Sequence, residues 1–293
     1  MCLSLFLAKR LRPVVLLLAG ALALPVSMAQ DANALRSRHA ALHEKFVNNQ
    51  FSRPLVLEST ETSGDLRGDV YTIVDHPFTT VQQALQSIDH WCDILILHLN
   101  VKQCKTNAAA RTIALRVGRK FDQPVQDAYE LAFKYRVAAN SADYLQVLLS
   151  ADEGPLSTKD YRIQVEAIPI EDNKSVIHMS YAYGYGFAAR MAMQTYLVTV
   201  GREKVGFSIV DRKDGKPVYI GGVLGLLERN TMRYYLAIDV YLGAYALPPG
   251  EQAEKRIRDW FASTERYATQ LHEMGQADYL DMKRKEILRQ QQS

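Results

Sequence analysis

Between residues 129 and 137 the chain alternates strictly. Tyr129, Leu131, Phe133, Tyr135 and Val137 form one row, and Glu130, Ala132, Lys134 and Arg136 form the other. A period of two with one apolar and one polar row marks a strand that is dry on one face and wet on the other. Further strand-like segments fall at 66–74, 94–103, 112–118, 143–150, 161–168 and 175–183. From the second of them onward, polar turns and not helices separate them, which predicts an antiparallel meander rather than βαβ units.

Helical patterns surround this series. Residues 33–48 read as a short amphipathic helix marked by Leu35, Leu42 and Phe46, and Glu58 to Asp65 as a polar connection. Asp75-His76-Pro77 ends the first strand, because proline biases its predecessor away from helical angles. A helix is expected over 79–92, with Val81, Ala84, Leu85, Ile88 and Trp91 at 3.6-residue spacing. A Met-rich helix is expected over 187–200, and Asp214-Gly215 is a hairpin turn signal. From 226 onward Leu227, Thr231, Tyr234, Tyr235, Ile238 and Leu242 share one helical stripe. A last helix after Gly250 carries Ile257, Trp260, Phe261 and Leu271, and residues 276–293 read as a polar helical tail in which Lys283-Arg284-Lys285 is a solvated face.

The amino terminus carries an address. Lys9, Arg10 and Arg12 precede an uncharged run from Val14 to Val26, followed by Ser27-Met28-Ala29. A basic head, a short apolar run and a small-x-small ending make a secretory signal peptide, with the cut expected after Ala29. The run is shorter than the roughly 20 residues a spanning helix needs. The mature protein is then expected in the periplasm or secreted, without a transmembrane segment. The chain carries 35 bases and 32 acids, and three of those bases lie in the head. A mature charge near zero argues against a nucleic-acid partner, whose phosphates demand a basic excess.

Cys92 and Cys104 remain after processing, in a compartment where thiols pair. A continuous strand over 93–103 would hold their α-carbons roughly 40 Å apart at about 3.3 Å per residue. A bridge would need the segment to fold back, and no Gly or Pro assists. The pairing stays open on the sequence. No metal site is expected, because no histidines lie at ligand spacing from the cysteines, and no cofactor is expected.

Catalytic motifs are absent: there is no Gly-x-Ser-x-Gly elbow, no His-Glu-x-x-His pair and no Walker loop. Gly184-Tyr-Gly186 and Gly221-Gly222-Val-Leu-Gly225 open no helix after a parallel strand. His98 and His178 are placed mid-strand, opposite the main apolar rows; a one-residue register shift would turn them inward. Glu228, Arg233 and Asp239 sit near the apolar stripe of a tyrosine-rich helix. They would lock that helix to the sheet by ion pairs, or contact the polar head of a bound lipid.

The order of elements resembles the START-like, helix-grip superfamily of polyketide cyclases and lipid-transfer proteins: a strand, a helix ending in Trp91, six or more antiparallel strands, then a long amphipathic helix. The resemblance covers roughly residues 60–275. The helix at 187–200 and the presence of two carboxy-terminal helices depart from that family's pattern. The segment Glu228-Arg229-Asn230-Thr231-Met232-Arg233-Tyr234-Tyr235, with Trp260 to Leu271, also resembles a family of exported bacterial proteins of unknown function. The likeness implies an α+β fold in which a curved antiparallel sheet grips the long carboxy-terminal helix and leaves a cavity. That divides the chain into a signal peptide (1–29), an amino-terminal helix and linker (30–60), the helix-grip domain (61–275) and the tail (276–293).

On that fold the inward rows supply the ligand-binding residues: Tyr129, Phe133 and Tyr135 from one strand, and Met179, Tyr181 and Tyr183 from another. Met191 with Met193 would close the mouth, and Trp260 would stand on the gripped helix. Thioethers and aromatic rings suit an apolar guest. The expected function is non-catalytic binding or transfer of a hydrophobic small molecule or lipid, with transient contact at a membrane surface. Two alternatives remain: an envelope-associated interaction protein using the carboxy-terminal helices, and a cyclase- or hydrolase-like enzyme with His98 and His178 as an acid–base pair.

Overall fold

In the computed structural model the described residues are 25–171, 173–186, 191, 195 and 203–292. Eight antiparallel strands form one sheet: β1 (Leu55–Thr62), β2 (Asp65–Val74), β3 (Val101–Asn107), β4 (Thr112–Val117), β5 (Tyr129–Asn140), β6 (Leu145–Glu153), β7 (Thr158–Glu171) and β8 (Lys174–Tyr185). Their spatial order is β1-β2-β8-β7-β6-β5-β4-β3. The run β3 to β8 is the meander expected, and β2 crosses to close on β8. A separate hairpin of β9 (Ile209–Lys213) and β10 (Lys216–Tyr219) turns through Asp214 and Gly215, both at positive φ.

The inner face of the sheet grips α5 (Gly222–Ala244). The contact is close because β2 carries Gly68, where a methyl group would fall 2.2 Å from the Thr231 hydroxyl. Thr72 Oγ1 and Tyr235 Oη lie 3.4 Å apart, also across this interface. Helices α3 (Phe78–Leu85) and α4 (Ile88–Leu95) close one end, with Trp91 Nε1 donating to Leu85 O at 2.9 Å. The outer face is not bare. The amino-terminal helices α1 (Pro25–Ala41) and α2 (His43–Val47) lie on it, with Leu35 among Tyr144, Ile168 and Val176, and Phe46 against Val56.

The architecture is therefore α+β: a curved antiparallel sheet holding a long helix. The gripped helix is α5, whereas Trp260 belongs to the next one, α6 (Pro249–Glu265). Its indole stacks on Tyr279 with centroids 5.1 Å apart, and Nε1 donates to Arg233 O at 3.2 Å. The short α7 (Ala268–Leu271) then leads to α8 (Gln276–Gln291).

Four expectations need correction. Residues 94–103 are not a strand: α4 runs to Leu95, a turn carries residues 96–100, and β3 starts at Val101. Residues 94–99 are buried on every side, so the alternation read there had no wet face behind it. That reversal brings Cys92 and Cys104 together, bridged with α-carbons 5.2 Å apart. The polar stretch from Glu58 contains most of β1, a sheet-edge strand whose outer end is exposed. The helix expected over 79–92 is two helices, separated at Gln86 and Ser87. The polar tail is docked: Lys283 and Glu286 are fully buried, and Lys283 Nζ donates to His98 O at 2.7 Å and Val101 O at 3.0 Å. The expected Met-rich helix, with Met193, lies outside the described residues apart from Met191 and Thr195. Among the described residues no helix is long and apolar enough to cross a membrane.

Candidate functional site

The inward rows of β5, β7 and β8 converge on α5 as a continuous series of rings. His98 stacks on Tyr234 at 4.8 Å, Tyr234 meets Tyr181 at 5.1 Å, and Tyr181 meets Tyr183 at 5.5 Å. Tyr183 stacks on Tyr161 at 5.2 Å, and Tyr161 meets the edge of Phe133 at 6.5 Å. Tyr181, Tyr183 and Phe133 come from the expected set because alternation in β8 and β5 points them the same way. Met179 is fully buried on the same row. Tyr161, Tyr234 and His98 were not assigned to that set. Tyr161 is the first inward residue of β7, a position that period-two counting from Ile163 and Val165 would have reached.

Burial holds the phenols of Tyr161, Tyr181, Tyr183 and Tyr234 above their ordinary value, so they are neutral hydrogen-bonding groups. His98 is pushed well below its usual range by burial, with Arg233, Lys283 and Lys120 adding to the effect. Its Nδ1 accepts from Asn100 N at 3.2 Å, which leaves the proton on Nε2. With its pKa lowered the imidazole is a weak base, and the neutral phenols are hydrogen-bonding groups rather than bases.

The row ends at a surface groove of about 610 Å³. Gly154 packs so closely on Tyr161 that a methyl group there would sit 2.3 Å from the ring. The next two residues, Pro155 and Leu156, line the groove together with Phe121 and Tyr129. Phe121, Tyr129 and Leu156 are 58%, 54% and 58% exposed, an unusual concentration of large apolar surface in one depression. Tyr129 thus points to solvent at the strand's start and not into the sheet–helix interior. Tyr135 diverges too: its hydroxyl donates to Gln86 O at 2.6 Å, beside a separate groove with Ile88 and Arg111. Met191 is 47% exposed. Trp260 borders a void of about 10 Å³, at the lower limit for a single water.

His98 and His178 form no pair. His178 lies on the outer face, stacked on Tyr71 at 4.3 Å, while His98 lies on the α5 side. His178 Nε2 is 2.8 Å from Asp69 and Nδ1 is 2.7 Å from Glu166, which also accepts from Tyr144. Both ring nitrogens are committed, so this histidine ties β2, β7 and β8 together.

The charged face of α5 is assigned in detail. Glu228, fully buried, accepts from Phe207 N, Ser208 N, Ser208 Oγ and Ser59 Oγ at 2.6–2.9 Å. Asp239 receives both terminal nitrogens of Arg53 at 2.9 Å. Arg229 and Arg233 reach Glu273, which also pairs with Lys120 at 2.8 Å and Lys204 at 3.0 Å. Burial opposes ionisation of Glu273, but Arg233, Lys120 and their neighbours outweigh it and hold its pKa at about 2.

Neither a protein-family model nor a curated protein matches the chain. Among solved structures, a START superfamily protein from Mycobacterium smegmatis is 10% identical, covering 46% of this chain and 92% of its own, with a TM-score of 0.31. Norcoclaurine synthase from Thalictrum flavum is 14% identical over 50% of this chain and 89% of its own, with a TM-score of 0.34. A conserved protein of unknown function from Enterococcus faecalis is 8% identical over 80% of this chain and 91% of its own, with a TM-score of 0.30. These overlaps carry nothing about ligand or chemistry. On the strand order and the grip on α5, the fold is START-like.

Proposed function

We propose that this chain is an exported, non-catalytic binding or transfer protein for a hydrophobic small molecule or lipid. The observation that carries the proposal is the groove of about 610 Å³ in which Phe121, Tyr129 and Leu156 are exposed together beside the buried ring series. Its volume suits a small apolar guest. The neutral phenols behind it offer oriented hydrogen bonds without acid–base chemistry. Export to the periplasm or beyond is supported by the amino-terminal pattern and by the Cys92–Cys104 bridge, since structural disulfides persist in oxidising compartments. The carboxy-terminal helices, docked through buried Lys283 and Glu286, belong to the fold itself, which favours this reading over one in which they serve as a free docking surface.

The test is native mass spectrometry of protein purified from cells, followed by titration with a fluorescent apolar probe. Bound lipid or saturable probe binding is expected, and Leu156→Asp with Phe121→Asp should lower probe affinity at least tenfold. Protein that carries no lipid and binds no probe overturns the proposal.

A further inference from the structure

A groove of about 310 Å³ lies where the α3–α4 junction meets β5, and it shares no lining residue with the apolar groove. Its charged residues are Arg111 and Arg136, both exposed, and no carboxylate lines it. Neighbouring cations are paired: Arg116 of β4 meets Glu130 at 2.8 Å, and Lys134 of β5 meets Asp152 at 2.6 Å. Arg111 and Arg136 have no such partner among the described residues. Asp89, next to Ile88 of the groove, accepts from Thr106 Oγ1 at 2.9 Å and forms no ion pair with either arginine.

A third donor in the groove is aimed by a chain of amides. Gln82 Nε2 donates to Ser141 O at 2.7 Å and to Asn140 Oδ1 at 2.6 Å. A backbone carbonyl only accepts, so that end of Gln82 is its amino group, and Asn140 turns its oxygen toward it. Asn140 Nδ2 then donates to Gln86 Oε1 at 2.8 Å, which leaves Gln86 Nε2 as a donor with no acceptor among the described residues. Tyr135 Oη, donating to Gln86 O at 2.6 Å, holds the same residue by its backbone. Arg111 is fixed as well. It stands at a φ of 52°, uncommon for a residue with a side chain, its N donating to Ala108 O at 3.3 Å and its O accepting from Tyr135 N at 2.8 Å. N–H donors that carry two positive charges and stand on fixed backbone match a group with several acceptor oxygens.

We propose that this groove binds the phosphate or sulfate group of a small molecule, with Arg111 and Arg136 as its charged ligands and Gln86 Nε2 as a neutral third donor. The volume leaves room for an organic remainder beside that group, against Ile88 and Val137. An anion between the two arginines also offsets their mutual repulsion. The site stands independently of the apolar guest.

Isothermal titration with inorganic phosphate and with sulfate, at constant ionic strength held with chloride, tests the site. Saturable binding is expected, weakened about tenfold or more in the Arg111→Asn/Arg136→Gln variant, as for loss of charge-assisted hydrogen bonds. Asparagine suits the left-handed backbone at position 111, so the turn is kept, and circular dichroism verifies the fold. Gln86→Glu retains the acceptor for Asn140 but puts a carboxylate where the donor stood, and should abolish binding. Lys134→Gln removes a neighbouring cation outside the groove and should leave binding unchanged. Preference for phosphatidylglycerol over phosphatidylcholine vesicles, lost in the double variant, assigns the group to a lipid head; anion binding without that preference assigns it to a soluble molecule. No saturable binding of either anion or of vesicles, wild-type affinity in the double variant, or an equal loss in Lys134→Gln overturns the proposal. The apolar-probe titration reads the other groove separately.

Discussion

Lys283 Nζ lies 2.7 Å from Glu286 Oε2 with both side chains fully buried, one helical turn apart on α8. Glu286 also takes Lys102 of β3 at 3.0 Å, so two lysines share one carboxylate beneath the carboxy-terminal helix. The arrangement holds α8 against the turn that follows the disulfide-bonded α4. Removing one member of such a set strands the others without solvent.

Glu286→Gln should therefore destabilise the protein by about 3–5 kcal/mol, the cost of breaking a buried ion pair from one side. Burial lowers the Lys283 pKa; Glu286 opposes this, Lys102 adds to it, and the result is about 8 against an ordinary 10.5. Over that interval the unfolded chain binds the extra proton, so the Lys283 contribution to stability rises as pH rises. Urea unfolding of wild type and Lys283→Met between pH 8 and 10 checks the sign: the difference, wild type minus variant, should grow with pH. A flat or falling difference contradicts the assignment.

Gly68 tests the grip directly. A methyl group there would meet the Thr231 hydroxyl of α5 at 2.2 Å, too close for any real contact. Gly68→Ala should cost about 1–3 kcal/mol through overpacking. Thr231→Ala in the same chain should recover part of that loss, because the side chain in the way is gone. Thermal melts of the two single variants and the double variant form the cycle, and additive losses would place the helix elsewhere.

The outer-face staple carries a pH signature of its own. Burial acts to lower the His178 pKa, but Asp69 and Glu166 more than offset it and raise the value above its ordinary 6.5. Burial likewise opposes ionisation of Asp69, yet His178 and Arg67 bring it down to about 2, and Glu166 is also lowered. The histidine term is complete below about pH 6.5 and is lost as pH rises through the raised folded value. The carboxylate terms are complete above about pH 4.5 and are lost as pH falls toward 2. The staple is thus strongest between these limits. His178→Ala should lose about 3–5 kcal/mol at pH 5.5, by leaving the buried Glu166 without a cationic partner and Asp69 with Arg67 alone. The deficit should shrink at pH 9 in denaturant titrations.

Most strands were legible before any coordinates because a half-buried strand writes its two faces into alternate residues. β5 from Tyr129 read correctly on that basis, and β8 read correctly although Ser175 to Tyr181 are buried on both faces, because Met179, Tyr181 and Tyr183 alternate with His178, Ser180 and Ala182. At residues 94–99, buried on every side, the code fails: they mimic alternation while forming a helix end and a turn. β1 failed for the opposite reason, since its exposed end is as polar as a loop. Of the site, the rows on β5 and β8 were visible, whereas Tyr161 and Tyr234 join them only through neighbouring strand and helix.

The sequence by itself determined the antiparallel sheet, the hairpin at Asp214-Gly215 and the presence of a long amphipathic helix, because local periodicity and turn chemistry act over a few residues. Only the tertiary structure decided which helix is gripped, that Cys92 meets Cys104, that Lys283 is interior and that four cations converge on Glu273. Those outcomes depend on residues distant in the chain arriving at one place, and a charge or thiol carries no local mark of the partner it will meet.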